Sequence, residues 1–329
     1  LLTSGTVAGG ADLDARNGII TNHTLGVYQN LEVYNVTVSN IYLRGMYASS
    51  GGTFNFHNNT VNNVQASASS IAMFNFGGSG LMTDNIVSDA NDGIASNWSK
   101  GTVYSGNTVS SSGSGIHTDN NGGSGGIADT IKNNTVQNSN LNGYGIWVFA
   151  PYQPVQVLNN TVNNVDVGMA AAGQQAAVTT LFSGNTIDGQ NKVNSTGMYV
   201  TTSLFGFGSS NVSVDFINNY VVNNEADGFY LESEAGQTLT LSAHDNSITG
   251  NAPYAVEDAG AGTFNVDMTC NWYGITGGGV AALFNSSAVY TPFLGVGTDD
   301  APAIAGFQPI PNSCNGCLGG TVANISTGE

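Results

Sequence analysis

Asn133-Asn134-Thr135-Val136 and Asn159-Asn160-Thr161-Val162 are two copies of a four-residue pattern that recurs along most of the chain. We take the second residue of each copy as its anchor, and only the interval from Asn185 to Asn219 is conspicuously long. A repeat of about 25 residues indicates a solenoid, in which each repeat stacks on the next. The anchors are Val36, Asn59, Asn85, Asn107, Asn134, Asn160, Asn185, Asn219, Asn246 and Asn271.

Each repeat contains short β-strand patterns. An alternating apolar run such as Val155-Gln156-Val157-Leu158 precedes the anchor, and a second strand begins at a glycine–apolar pair such as Gly145-Ile146. Apolar residues do not recur at helical spacing over any long stretch of the chain. The sequence therefore predicts an all-β parallel β-helix (solenoid) of about ten to twelve coils over residues 1–275.

The anchor asparagines have a physical role in such a coil. A side-chain amide at a corner can bond to its neighbours in the coils above and below, about 4.8 Å away, and so form a ladder. Asparagine also tolerates the left-handed conformation of a corner. The predicted ladder consists of Asn59, Asn85, Asn107, Asn134, Asn160, Asn185, Asn219, Asn246 and Asn271.

With this repeat and ladder, residues 10–275 resemble the right-handed parallel β-helix family. That family includes pectate lyases, polygalacturonases, alginate epimerases and many bacterial surface proteins. Right-handed winding is implied by the resemblance and not by the spacing. Because the architecture carries both enzymes and inert rods, it leaves the function open.

The repeat stops after Cys270-Asn271-Trp272-Tyr273-Gly274, and four later prolines cannot donate regular ladder hydrogen bonds. We expect residues 276–329 to form an extended C-terminal cap or strap. Together with Tyr290–Leu294 and Gly306–Cys314, this closing segment resembles that of β-helix modules in large secreted surface proteins of the Bacteroidota, where further domains commonly follow.

That resemblance implies a disulfide between Cys270 and either Cys314 or Cys317. A zinc site at Cys314 and Cys317 is less favoured, because a structural site needs four ligands and no histidine lies close in sequence.

The composition limits the kinds of molecule that this protein can bind. Lys and Arg total 5 against 22 Asp and Glu, and the net charge of −17 disfavours nucleic acid and anionic membranes. Only 8% of residues are charged, whereas there are 42 Asn and 45 Gly, which is unusual for a cytoplasmic enzyme. No apolar run approaches the length of a membrane helix. We expect an extracellular or cell-surface location without membrane insertion.

Catalytic signatures of the family are missing. Lyases on this fold abstract a proton with Arg or Lys, and the five basic residues here are widely separated. Gly115-Ile116-His117-Thr118-Asp119 resembles part of a polygalacturonase motif, but the aspartate cluster, Gly-His-Gly and Arg-x-Lys are absent. We interpret His117 and Asp119 as exposed residues of one coil.

Two acidic pairs fall near the same corner of consecutive coils. Glu232 and Glu234 follow the anchor of one coil at nearly the same offset at which Glu257 and Asp258 follow the anchor of the next. A solvated acidic face is the simplest interpretation. These four residues also suit a calcium site, and a separation of about 5 Å between Glu232 and Asp258 would suit a retaining glycosidase.

The longest interval contains an insertion with Phe205 and Phe207 among glycines. Together with Trp98, Trp147 and Tyr152 of earlier coils, these rings suit an exposed platform for a sugar, although covering an open edge of the core is the commoner role of such residues.

We therefore expect a non-enzymatic extracellular β-helix module of a bacterial surface protein or appendage. It would serve adhesion, carbohydrate contact or scaffolding, with an extracellular polysaccharide or neighbouring subunits or domains as partners. A polysaccharide-active hydrolase, lyase or epimerase, and a self-assembling filament subunit, are the alternatives. No cofactor is expected apart from the calcium considered above.

Overall fold

The computed structural model describes residues 15–21, 30–49, 51–120, 125–139 and 143–314. Its strands form three parallel sheets that the chain visits in turn, one strand per sheet in each coil. This confirms the all-β parallel solenoid of about ten coils. In the described part of the chain, no helix combines the length and the apolar character needed to cross a membrane.

Sheet 1 has eleven strands: β1 (Ala15–Ile20), β4 (Ile41–Ser49), β7 (Ile71–Phe76), β10 (Asp92–Asn97), β13 (Ser114–Asp119), β16 (Tyr144–Val148), β19 (Val167–Ala171), β22 (Thr196–Thr201), β25 (Asp227–Ser233), β28 (Tyr254–Gly260) and β30 (Phe284–Asn285). Sheet 2 has ten strands: β2 (Leu31–Tyr34), β5 (Thr53–His57), β8 (Ser79–Thr83), β11 (Thr102–Ser105), β14 (Thr130–Lys132), β17 (Gln156–Leu158), β20 (Thr180–Ser183), β23 (Val212–Ile217), β26 (Thr238–His244) and β29 (Thr263–Asp267). Sheet 3 has nine strands: β3 (Thr37–Ser39), β6 (Thr60–Val64), β9 (Ile86–Ala90), β12 (Thr108–Ser110), β15 (Thr135–Gln137), β18 (Thr161–Asn163), β21 (Thr186–Asp188), β24 (Tyr220–Val222) and β27 (Ser247–Thr249). A 3₁₀ helix spans Gly277–Leu283.

The asparagine ladder is confirmed at the corner between sheets 2 and 3. The backbone and side-chain N–H groups of Asn134 both donate to Asn160 Oδ1 at 2.9 Å. The Asn160 amide in turn donates to Asn185 Oδ1 at 3.0 Å and to the Ile131 carbonyl at 2.9 Å. All nine ladder asparagines are buried. Each amide thereby satisfies backbone groups that the corner takes out of the sheet.

The left-handed residue of each corner is not the anchor but the residue before it. Asn133 and Asn159 have φ of 55° and 54°, whereas Asn134 and Asn160 do not have positive φ. The two asparagines of each pair therefore have different roles: the first tolerates the left-handed turn, and the second forms the ladder.

The glycine–apolar pairs also have a steric cause. A Cβ on Gly145 would lie 2.4 Å from both the Gly168 carbonyl oxygen and Val162 Cγ1. The chain enters sheet 1 so close to the next coil and to the sheet 3 valines that a side chain does not fit.

The C-terminal strap closes the last coil and then returns along the outside of the solenoid. In the first part β30 pairs with β28, so a strand of the expected cap joins sheet 1. Further on, the Phe307 N–H donates to the Asn218 carbonyl at 3.0 Å, back at the ladder corner. The disulfide joins Cys270 to Cys314, one of the two pairings that the sequence left open. Cys317 lies outside the described residues.

Candidate functional site

The outer face of sheet 1 carries a row of aromatic side chains that the strand register places in line. Tyr47 pairs with Phe74, His117 pairs with Trp147, and Tyr199 pairs with Tyr230. Between these pairs the row is interrupted by alanine, at Ala95 and Ala170. Because side chains at paired positions of parallel strands lie one coil apart, the rings stack along the solenoid axis.

Phe76 and Trp98 lie beside this row. Their rings are stacked, with centroids 5.5 Å apart and planes 27° from parallel. Both side chains are exposed. Trp98 has φ of 56°, and its backbone N–H donates to Asp119 Oδ1, so the carboxyl of the next coil holds the left-handed turn that presents the indole.

Trp147 is the centre of the aromatic surface. Its ring centroid lies 4.8 Å from His117, 5.3 Å from Tyr144 and 5.7 Å from Phe149. The four rings come from two consecutive strands, β13 and β16, or from the residue directly after β16. Three of them, those of His117, Trp147 and Phe149, form the floor of a depression.

The insertion between β22 and β23 forms one wall. A tight turn closes where the Leu204 N–H donates to the Gly208 carbonyl at 2.8 Å. At its tip Phe205 adopts φ of 48° and lies 5.6 Å from Trp147, edge to face. Phe207 is 84% exposed. A left-handed phenylalanine is strained, and the wall is thus held by ring contacts and not by backbone preference.

Together these elements enclose a groove of about 710 Å³. Phe205, Phe207 and Trp98, the residues that the sequence suggested as a sugar platform, all line it. Trp147, which the sequence also suggested, lines the groove as well, whereas Tyr152 is not among the lining residues. His117 was singled out only for its motif, and the rings of Phe74, Phe76 and Phe149 had no signal in the sequence.

Three polar atoms of the groove lining have no hydrogen-bond partner among the described residues: Asn97 Oδ1, His117 Nδ1 and Trp147 Nε1. A buried polar atom without a partner costs free energy and calls for an explanation. Here an acceptor, an imidazole nitrogen and a donor lie among aromatic rings, which is the combination that a hydroxylated ligand would satisfy.

The charges of the groove are few and mostly neutralised. Burial raises the pKa of Asp119 to about 8, with a smaller contribution from Asp129 in the same direction, while the Trp98 N–H opposes the shift. Burial lowers the pKa of His117 to about 4. Near pH 7 the Asp119 carboxyl is therefore protonated and His117 is uncharged. The sequence-based expectation that both are exposed is wrong, since Asp119 is only 6% exposed and His117 is half-buried.

Arg44 and Asp92 lie at one end of the groove. The Arg44 guanidinium lies 4.9 Å above the Phe74 ring and donates to the Leu43 and Ser69 carbonyls. Burial raises the pKa of Asp92 to about 6, and the Arg44 charge opposes this shift. Arg44, the one cation of the described groove lining, thus already has its contacts within the protein.

A polar network inside the solenoid supports the groove from below. The fully buried Asp129 carboxylate accepts hydrogen bonds from Ser99 Oγ at 2.8 Å, Thr102 N at 2.7 Å, Thr118 Oγ1 at 2.5 Å and Asn120 Nδ2 at 3.0 Å. It fixes the segment that follows Trp98 against the next coil.

The acidic residues singled out in the sequence are not assembled into one site. Glu232 pairs with Ala259, and these positions are on the outer face of sheet 1. Asp258 pairs with Leu231, whose side chain points into the core. Side chains of successive strand positions point to opposite faces, so Glu232 and Asp258 do not face each other as a catalytic pair requires.

Three of the four carboxylates have their own partners. Glu232 accepts hydrogen bonds from the Tyr199 hydroxyl and from Thr201 Oγ1, and Asp258 accepts from Ser287. Glu257 accepts from Asn285 at 3.0 Å, and Glu234 is exposed. Across the described ranges, no three His, Cys, Asp or Glu side chains are grouped so that they would hold a metal ion. The geometry gives the calcium hypothesis no support.

Comparison with known proteins supports the fold and adds no function. The family model described as "Right handed beta helix region" matches residues 17–187, just over half of the chain. No curated protein and no solved structure matches the chain. The match begins in β1 and ends in β21, so it covers most of the coils that build the groove. By its repeat, its ladder and this match, the chain belongs to the right-handed parallel β-helix family.

Proposed function

We propose that this protein is an extracellular carbohydrate-binding β-helix that holds an uncharged polysaccharide in the aromatic groove of sheet 1. The observation that carries the proposal is the floor around Trp147, where aromatic faces lie beside polar atoms that have no protein partner among the described residues. Sugar rings have apolar C–H faces and hydroxyl edges, so they stack on aromatic rings and bond to polar atoms between them.

The electrostatics favour a neutral glycan over a uronate polymer. The chain carries a net charge of −17, and Arg44, the only cation in the described groove lining, already contacts Phe74 and two carbonyls. A polyanion would be repelled at long range and would find no free cation among these lining residues.

The groove also has the shape for a chain ligand. The row of side chains on its floor follows the solenoid axis with one position per coil, about 4.8 Å apart, and Ala95 separates the ring of Phe74 from that of His117. Because this surface is rigid, a ligand can bind without a free-energy cost for ordering the strands and turns of the groove. Adhesion to a polysaccharide is the role that these features support best.

Direct binding measurements test the proposal. We would titrate the protein calorimetrically with cellohexaose, xylohexaose, mannohexaose and laminarihexaose, and with an oligogalacturonate as the acidic comparison. We expect at least one neutral oligosaccharide to bind, and the variant Phe207→Ala to weaken it at least fivefold. Val193→Ala is the matched control, because Val193 is 69% exposed and does not line the groove.

Two results would overturn the proposal. One is the absence of binding by every neutral probe. The other is binding that Phe207→Ala and Trp147→Ala leave unchanged in folded protein. Preferential binding of the oligogalacturonate would overturn the neutral class.

A second candidate function is cleavage of the bound polysaccharide. Its support is Asp119, a groove carboxyl that keeps its proton near pH 7, because glycosidic bond cleavage needs a proton donor. Reducing-end release from the same neutral polymers, abolished in Asp119→Asn, would establish this function. No release from any polymer that binds would leave binding as the function.

A further inference from the structure

A second depression adjoins the aromatic groove at the corner where the chain passes from sheet 1 to sheet 2. It has a volume of about 590 Å³ and is bounded by residues 174–179, by 209–213 and by the start of β26. The insertion lines both depressions, with its phenylalanines in the groove and Ser209–Asn211 in the second pocket.

The chemistry of this pocket differs from that of the groove. Every residue of its lining is uncharged, and most carry a hydroxyl or an amide. Gln174 Nε2 donates to the Ser213 carbonyl at 2.8 Å, and the Thr179 and Ser213 hydroxyls lie 3.0 Å apart. In a protein with so large a negative charge, an uncharged lining of hydroxyls and amides suits a neutral ligand with many hydroxyl groups.

One atom of the lining lacks a partner. The buried Ser210 Oγ forms no hydrogen bond within the described residues. It packs against Gly173, where a Cβ would lie 2.6 Å from it, so only glycine at position 173 leaves room for this side chain. A ligand that draws the Ser210 side chain into the pocket would relieve the cost of its missing hydrogen bond.

Gln175 connects the two depressions. It is exposed and lines both of them. The groove follows the solenoid axis on sheet 1, whereas the pocket faces the corner towards sheet 2. A linear main chain that follows the groove would not turn that corner, but a side branch would.

We infer that this pocket is a second sugar subsite, which receives an uncharged side branch of the glycan whose main chain lies in the aromatic groove. The inference rests on the proposed function, because it takes the groove as the site of the main chain. Gln175 and Ser210 are the residues that the branch would contact.

Nuclear magnetic resonance separates the two sites in one spectrum. The indole N–H signals of Trp98 and Trp147 report on the groove, and the side-chain amides of Gln174 and Gln237, which line the pocket and not the groove, report on the pocket. The probes are xyloglucan heptasaccharide and galactosyl-mannopentaose, each compared with its unbranched backbone, cellotetraose or mannopentaose. We expect the backbones to shift the indole signals alone, and a branched probe to shift both sets.

A variant that fills the pocket provides the second test. Thr240→Trp places a large side chain in the pocket from the outer face of β26, and Ser242→Trp places the same side chain further along that face, outside the pocket. We expect wild type to bind the branched probe at least fivefold more tightly than the unbranched backbone. Thr240→Trp should remove this difference without changing the affinity for the backbone. Ser242→Trp is expected to change neither.

The outcomes are distinguishable. Indole shifts without pocket shifts for every probe would overturn the second subsite and leave the groove function intact. No shift in either set would overturn both. Pocket shifts without indole shifts would overturn the groove as the main-chain site and, with it, this inference. If Thr240→Trp does not fold, Gln237→Ala tests the same affinity advantage.

Discussion

The Phe205 ring meets Trp147 edge to face, with centroids 5.6 Å apart and planes inclined by 76°. Phe205 comes from the long repeat, and Trp147 lies two coils earlier in sheet 1. The contact therefore couples the insertion to the floor of the groove, and the wall of the groove depends on it.

Removing this ring tests the coupling. Without the Phe205 ring, the wall loses an aromatic contact worth about 0.5–1.5 kcal/mol, and water reaches the Trp147 indole. We therefore expect Phe205→Ala to shift the tryptophan fluorescence to longer wavelength. Phe207→Ala is the control, since Phe207 is largely exposed and the ring that meets Trp147 from the insertion is that of Phe205. Equal emission spectra for the wild type and Phe205→Ala would show that the insertion does not cover Trp147.

The ladder should dominate stability. Asn160→Ala leaves the Asn134 N–H groups and the Ile131 carbonyl without their partner, so we expect a loss of about 2–4 kcal/mol in the free energy of unfolding. Asn163→Ala, on the half-buried outward face of β18, should change it by less than about 0.5 kcal/mol. Urea unfolding measures both, and comparable losses would contradict the assigned role of the ladder.

The glycines that enter sheet 1 should tolerate no side chain. Gly145→Ala is expected to cost about 3 kcal/mol or more, because its Cβ would overlap the Gly168 oxygen and Val162. A Cβ at Gly125 would meet nothing within 4 Å, so Gly125→Ala serves as the control. A Gly145→Ala protein with the thermal midpoint of the control would show that the coil spacing can relax.

Stability should fall as the pH rises, because of Asp119. Its folded pKa of about 8 lies above the ordinary value of 3.8, so the folded state retains a proton that the unfolded state has released between these values. The favourable contribution is complete below about pH 4 and is lost towards pH 8. His117 acts oppositely, but only below its ordinary value of 6.5, because its folded pKa is about 4.

Asp119→Asn removes this dependence and keeps an oxygen for the Trp98 N–H. We expect its free energy of unfolding, relative to wild type, to be about 1–3 kcal/mol higher at pH 8 than at pH 5. Asp215→Asn, on the outward face of β23 in sheet 2, is the comparison at matched ionic strength. A difference that stays constant between the two pH values would refute the assignment.

The disulfide should fasten the strap. Cys270→Asn keeps a residue type that adopts the left-handed conformation at the same position of other coils, such as Asn133, and removes the bond to Cys314. Because the cysteines have a sequence separation of 44, chain-entropy arguments give a loss of about 4 kcal/mol. Unfolding with and without reductant measures it: wild type should respond to the reductant and Cys270→Asn should not. A wild type that is insensitive to reductant would contradict this role.

The fold was predictable because the ladder leaves a signal at nearly constant spacing. Anchor counting even gives the correct register near the C-terminal coils: Glu232 and Ala259 follow their anchors at the same offset and are paired. Counting did not reveal which face each side chain occupies, and the register puts Glu232 and Asp258 at positions that point to opposite faces.

The groove could not be predicted in the same way. Phe74, His117 and Trp147 occupy one row of sheet 1, yet they follow their anchor asparagines at three different offsets along the chain. The turns between sheets 3 and 1 differ in length, so the alignment exists only in three dimensions. Phe205 and Phe207 were noticed because rings in a glycine-rich insertion are unusual, not because their neighbours were known.

The strap also determines how the rod responds to mechanical force. A pull applied at Cys314 is delivered through the disulfide to Cys270, directly beside Asn271, the last rung of the ladder. From there the load passes to the Asn246 N–H groups that donate to Asn271 Oδ1, so the strap cannot leave the solenoid unless the last coil opens with it. The cross-link therefore ties the detachment of the strap to the opening of the terminal coil.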